Sequence, residues 1–240
     1  MFSAHGSGMS DHAFYKDTSL RRTKMKKAIS VLSALLFYVF FPLCFRSIAW
    51  AEGITIDEAH FPDVSFRSFV SEHCDIDTDN SLSDAELASV TIIDCSGSYN
   101  NRNNIASLEG IEYFVMLQSL TCSYNQLNSI DISFNINLQE LDCSNNQLAS
   151  LNVTDNLELE RLFCGFNRLT NLNVQNNEKL KLLSCQYNKL VSLDVSNNLN
   201  LEQLWFSGNQ LESIDISNNS QLFDLSCESN LLKSLDTSNN

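Results

Sequence analysis

The chain has 240 residues, 43% of them hydrophobic, with seven glycines and two prolines, which allows a packed core and excludes collagen-like or linker-rich architectures. Its formal net charge is −14, but residues 1–51 hold seven basic and two acidic residues, leaving eight basic against twenty-seven acidic in residues 52–240. Such a body is repelled by nucleic-acid phosphates and anionic membranes, so no nucleic-acid partner is expected, and it suits cations, basic partners or neutral ligands.

The chain opens with a basic region of Arg21, Arg22, Lys24, Lys26 and Lys27, followed by a nearly unbroken apolar run of eighteen residues from Ala28 to Phe45. Ala49-Trp50-Ala51 then precedes Glu52. This order is that of a cleaved secretory signal over residues 1–51, which places the mature protein outside the cell or on its surface, without membrane insertion. Met25-Lys26-Lys27 has the form of a natural start, which makes residues 1–24 a mis-assigned extension. The alternative is a retained anchor, because eighteen apolar residues span a locally thinned bilayer. Cys44 follows Pro42 and Leu43, not the small residues that precede a lipidated cysteine.

Residues 52–89 read as a small helical cap. Asp63 is placed to cap a helix carrying Phe66, Phe69 and Val70. Next come the twelve residues Asp75 to Glu86, in the order of an EF-hand loop. Ca²⁺ takes six to eight hard oxygens, and the loop supplies carboxylates from Asp75, Asp77 and Asp79 at positions 1, 3 and 5. Ser81 offers a backbone carbonyl at position 7, Ser83 acts through water at position 9, and Glu86 is the bidentate ligand at position 12. Asn80 stands where the EF-hand has glycine, and asparagine tolerates the positive φ needed there, so weaker binding is expected rather than none. Ser83 and Glu86 also form an S-x-x-E start signal for a second helix over Ala85 to Val90. The readings are a structural calcium clip or an acidic turn without metal.

From Leu117 the sequence falls into rows of 21, beginning at Leu117, Leu138, Leu159, Leu180, Leu201 and Leu222. Row positions 1, 4, 6, 11, 14 and 16 are apolar almost throughout, and positions 9 and 19 are always asparagine. Position 6 carries Cys122, Cys143, Cys164, Cys185, Phe206 and Cys227, so cysteine exchanges with phenylalanine and behaves as a buried core filler, not a disulfide partner. Residues 90–116 form an irregular first row with Val90, Ile93 and Cys95 at positions 1, 4 and 6, and a polar loop from Ser96 to Asn104. The row pattern resembles the leucine-rich repeat, L-x-x-L-x-L-x-x-N-x-L, with cysteine at the third leucine. The second half of each row, as in Leu193 to Asn198, echoes the first, which resembles a 21-residue bacterial subclass. The segment Phe61 to Val70 with its following loop resembles the N-terminal cap of bacterial surface leucine-rich-repeat proteins. The resemblance implies a repeat solenoid of short parallel β-strands and turns over residues 90–240, with little helix and with a second short extended segment in each coil. A single row cannot fold alone and is stable only as part of an array. The last row stops at Leu235 to Asn240 with no polar cap behind it, so an array that continues or was truncated is expected.

In leucine-rich repeats, row positions 3, 5, 7 and 8 face the concave surface, and here they include Tyr124, Phe163, Phe166, Leu182, Tyr187 and Trp205. Tyr124, Phe163, Phe166, Tyr187 and Trp205 are the candidate partner-binding residues, with Asp142, Asp224 and Glu228 at their flanks. The alternative is that these rings pack on one another as cross-strand pairs. After the leader only His60 and His73 remain, both before the repeats, and there is no phosphate loop or zinc-like cysteine spacing, so no enzymatic activity is expected. The expected function is adhesin-like binding of an extracellular protein or glycan. A structural spacer that presents a C-terminal enzyme or anchor domain is the alternative.

Overall fold

The computed structural model of the chain describes residues 53–100 and 103–240. The leader over residues 1–51, with the expected signal, the upstream extension and Cys44, lies outside the described residues. Among the described residues no helix is long and apolar enough to cross a membrane.

The 21-residue period becomes a coil of the chain. Each coil contributes one three-residue strand: β3 (Ile92–Asp94), β4 (Ser119–Thr121), β5 (Glu140–Asp142), β6 (Arg161–Phe163), β7 (Leu182–Ser184), β8 (Gln203–Trp205) and β9 (Asp224–Ser226). They pair in chain order as one parallel sheet. Leu120, Leu141, Leu162, Leu183, Leu204 and Leu225 stand opposite one another in register, so equivalent residues stack. β3 joins the same sheet with Ile93 opposite Leu120, although its coil carries the longer polar loop.

The repeated apolar positions form a continuous interior, and in the coil from Leu159 the residues Leu159, Leu162, Cys164, Leu169 and Val174 are fully buried. Cys122, Cys143, Cys164 and Cys185 are free buried thiols, Cys227 is half-buried, and Phe206 fills the intervening slot. Burial pushes the Cys185 thiol up to about 12 and holds Cys122 and Cys164 well above the ordinary thiol range. These side chains stay neutral and pack as small hydrophobes.

The two asparagine columns are structurally unequal. At position 9, Asn167 accepts the Leu148 backbone N–H at 2.9 Å and donates to the carbonyls of Cys143 at 3.0 Å and Cys164 at 3.1 Å. One carboxamide thus joins two successive coils through both of its polar atoms. At position 19, Asn177 donates to the carbonyls of Val153 at 3.0 Å and Asn156 at 2.9 Å, while its Oδ1 takes no such bond.

The second half of each coil, expected as a second short extended segment from its echo of the first half, forms no β ladder among the described residues. The side chain at position 15 takes the backbone N–H at position 17, as Asp194 does from Ser196 at 3.0 Å and Asn173 from Gln175 at 3.1 Å. A turn follows, closed by Asn177 N–H to the Val174 carbonyl at 3.0 Å. The same capture occurs in the strand half, where Asp142 accepts the Ser144 N–H at 2.9 Å, but the return halves are joined from coil to coil by side chains, as Asn177 is to Val153 and Asn176 to Thr154. Among the described residues, helix in the repeat region is limited to a 3₁₀ turn at Ile111–Tyr113.

Upstream, α1 (Val64–His73) and α2 (Asp84–Ser89) flank the acidic loop, and β1 (Ile54–Thr55) pairs antiparallel with β2 (Ser81–Leu82) inside it. Asp63 caps α1 by accepting from the Ser65 and Phe66 N–H groups, each at 2.9 Å. Its other oxygen accepts from Ala106 at 2.8 Å and Ser107 at 3.2 Å, which fastens the helix start to the first coil. Phe61, fully buried, seats its ring against Phe66, Tyr113 and Phe114. Gly110, at φ 106°, lies under that ring with no room for a Cβ.

The inequality of the two asparagine columns yields a measurable difference. Asn167→Ala orphans a buried donor and two carbonyls and is expected to cost about 3 kcal/mol, whereas Asn177→Ala, which orphans acceptors only, costs roughly half as much. Denaturant titration of the two variants checks the order; equal losses would contradict it.

Candidate functional site

The wall formed by β3 to β9 leaves row positions 3, 5, 7 and 8 on its outer face. Position 8 has a backbone constraint that governs the rest. Tyr124, Asn145, Phe166, Tyr187, Gly208 and Ser229 all have positive φ, between 51° and 72°. Glycine and asparagine accept this left-handed region, but for bulky side chains it is strained. Strain of this kind persists where the surrounding structure imposes it and clusters at recognition sites. Here successive coils impose it: the Phe166 N–H donates to the Gln186 carbonyl and the Tyr187 N–H to the Ser207 carbonyl, each at 2.8 Å.

Phe166 and Tyr187 stack with ring centroids 4.5 Å apart and planes at 24°. They remain 48% and 54% exposed, so the pair covers itself on one side only. Tyr187 in turn lies over Gly208, where a Cβ would sit 2.6 Å from its Cδ1. Gly208 is therefore the step on which the stack ends. Phe163 and Trp205 flank Ser184 in register across three strands and are half-buried. Leu182, expected on the exposed face, is only 7% exposed. Tyr124 stands two coils from Phe166 with Asn145 between them, and does not join the stack.

The charged groups on the wall were only partly legible. The Arg161 guanidinium lies 5.6 Å over the centre of the Phe163 ring and 3.8 Å from Glu140, a cation placed between a ring and a carboxylate. Lys181 meets Glu160 at 2.7 Å. Asp224 accepts from Gln203, and Glu228 accepts from the Ser226 hydroxyl at 2.9 Å. Hydroxyl donation from Ser207, with the Glu228 N–H and Ser226, holds the Glu228 carboxyl below its usual range. Sequence reasoning passed over Arg161, Ser184 and Gly208. The signal for Gly208 was present in column 8, which carries asparagine, glycine and serine among its three aromatics.

The acidic loop brings together three of the six expected ligands. Carboxylate oxygens of Asp75, Asp77 and Glu86 lie within 4.8 Å of one another. Glu86 is held inside the loop by the Ser83 N–H at 2.8 Å and the Ile76 N–H at 2.7 Å, completing a capping box with Ser83. Burial by itself raises its carboxyl, but these donors outweigh burial and hold it below the usual range. Loss of water and the charges of Asp79, Glu86 and Asp75 push the Asp77 carboxyl up. Asp79 instead turns to the Ser81 N–H and hydroxyl, and the Ser83 hydroxyl is engaged by Glu86. Asn80 adopts φ 65°, the conformation that glycine provides in an EF-hand. His60 bonds to Asp57 and His73 to the Phe69 carbonyl, both in the segment before the coils.

No protein-family model matches the chain. A stretch of 75 residues is 36% identical to internalin J of Listeria monocytogenes serotype 4b, covering 31% of this chain and 8% of that protein. The solved functional domain of internalin J, which includes a cysteine ladder, superposes with a TM-score of 0.74 at 32% identity, over 81% of this chain and 42% of that one. The fold is that of a leucine-rich-repeat solenoid. A leucine-rich-repeat protein of Leptospira interrogans matches at TM-score 0.52 and 28% identity, over 55% of this chain and 36% of that chain. Internalin C2 of Listeria monocytogenes matches at 0.55 and 19%, over 81% and 94%, a likeness of fold alone. The chain thus spans less than half of the internalin J domain it resembles and a small fraction of the full curated protein.

The seat of Tyr187 on Gly208 gives a direct check. Gly208→Ala is expected to cost about 2 kcal/mol in the native background, from the left-handed backbone and the displaced ring together, and about 1 kcal/mol in a Tyr187→Ser background where only the backbone cost remains. Equal costs in both backgrounds would show that the ring does not rest there.

Proposed function

We propose that the chain is an extracellular binding module, secreted or held at the cell surface, that captures a protein or glycan partner through the strand wall and performs no catalysis. The observation that carries this is the half-uncovered Phe166–Tyr187 stack, two bulky rings kept on left-handed backbone where asparagine and glycine serve the fold as well. Keeping half-exposed aromatics on left-handed backbone costs strain that the fold does not require, and rigid aromatic anchors dominate the energetics of recognition surfaces. The likeness to internalin J and to a Leptospira leucine-rich-repeat protein supports a binding role over an enzymatic one. The leader, with its basic, apolar and small-residue order, supports export. Replacing Phe163, Phe166 and Trp205 by alanine is expected to abolish capture of the partner from an extracellular matrix or neighbouring cell surface while the melting temperature stays within a few degrees. Undiminished capture by the folded triple variant would remove the strand wall as the site.

The same reading assigns a structural Ca²⁺ to the loop from Asp75 to Glu86. Three convergent carboxylates form a donor set of hard oxygens, and an ion would take the place of some of the N–H and O–H donors that engage both Glu86 oxygens. Asp75, Asp77 and Glu86 would hold the ion directly, with Asp79, Ser81 and Ser83 completing the shell. The ion would neutralise the mutual repulsion of these groups and fix the β1–β2 pairing between Ile54 and Leu82. At a hundredfold excess of Ca²⁺ over Kd the stabilisation is about 2.7 kcal/mol. Melting curves in Ca²⁺ and in EDTA should therefore differ, and Glu86→Gln should erase the difference; superimposable curves for the native protein would refute the metal.

A further inference from the structure

We infer that the strand wall takes a basic polypeptide segment in extended form, with arginine or lysine side chains lying on the Phe166–Tyr187 stack and beside Trp205 while carboxylates at either end of the strip pair with the flanking cations. This rests on the strand wall being the binding surface and names the chemistry of its partner.

The wall contains its own example of the contact. Arg161 lies over the Phe163 ring and reaches Glu140, so ring and carboxylate on neighbouring coils hold one guanidinium between them. The same pair of elements recurs further along the wall without a cation. Trp205 stands in register with Ser226, two residues beyond Asp224, and Glu228 follows on the same face. At the near end Asp142 stands in register with Phe163. Among the described residues Asp142, Asp224 and Glu228 form no ion pair, whereas the cation of the wall, Arg161, already faces Glu140, and Lys181 at its margin faces Glu160. The acidic excess of residues 52–240 extends this complementarity over long range and favours fast encounter with a cationic partner.

The dimensions select an extended segment. Asp142 and Glu228 lie in coils four strand spacings apart, about 19 Å at about 4.8 Å per strand. An extended chain rises about 3.3 Å per residue, so a heptapeptide laid across the strands brings basic residues to both ends and to the aromatic centre. Exposed aromatic faces stack equally well on neutral sugars; the carboxylates at both ends favour the cationic peptide.

The probe is a fluorescein-labelled heptapeptide alternating arginine and glycine, titrated with the protein by anisotropy, beside the matching glutamate–glycine peptide and a neutral hexasaccharide. The arginine peptide is expected to bind, about tenfold more weakly in about 300 mM than in about 50 mM NaCl, and the glutamate peptide is expected not to bind. Phe166→Ser with Tyr187→Ser, and separately Asp224→Asn with Glu228→Gln, should each weaken it about tenfold while the melting temperature holds. Binding that survives loss of both rings would be diffuse charge attraction and would overturn the inference. Failure of the arginine peptide, with the hexasaccharide or a captured partner still bound through the same rings, would overturn the basic partner and leave the strand wall as the site.

Discussion

Each coil of this protein completes its hydrogen bonding in its neighbour. The position-9 asparagine accepts a backbone N–H from the coil before it and donates to carbonyls of both coils, as Asn167 does with Leu148, Cys143 and Cys164. The apolar interior obeys the same rule, because no single row holds enough buried side chains to offset the ordering of its own backbone. Equivalent residues therefore stand one strand spacing apart along the whole array, and any side chain placed on the outer face is automatically repeated, opposed or relieved by the coils on either side.

That regularity explains why the recognition surface sits where it does. Each coil must turn sharply after its strand, which sets position 8 in left-handed backbone in every described row from Tyr124 to Ser229. The same corner aims the side chain outward. An aromatic there is disfavoured for the coil but well presented to a partner, and the smallest side chain two coils on from Phe166, at Gly208, gives the tyrosine between them a floor. Stability and presentation pull in opposite directions at one column, and this chain resolves the conflict differently from coil to coil.

The solenoid was legible because its determinants are periodic: leucine, cysteine and asparagine recur at fixed positions, and burial follows them, including Phe206 in the cysteine column. The return half was expected to be extended because its leucine spacing copies that of the strand half, and among the described residues it forms no ladder. What separates the two halves is how coils are joined: the strand half pairs backbone to backbone, whereas the return half is bridged by side chains, as Asn177 bridges to Val153. On the wall, residue types announced which side chains face out, but ring contacts depend on neighbours 21 residues away. Phe166 on Tyr187 follows from adjacency, whereas the burial of Leu182 and the isolation of Tyr124 depend on what the neighbouring coils place beside them. In the loop from Asp75 to Glu86 the order of carboxylates was visible, but not that Asp79 turns back to Ser81.

The in-register stacking of coils also makes the molecule a ruler with one graduation. Removing or duplicating the whole 21-residue block from Leu117 to Asn137 leaves both asparagine columns, the thiol column and the corner geometry matched across the new junction. It changes only how far the aromatic strip stands from the segment that covers the first coil, in increments of about 4.8 Å. A change of any other length breaks every column at once. Lineages descending from such a chain can therefore vary reach in discrete steps while the chemistry of each rung stays as it was.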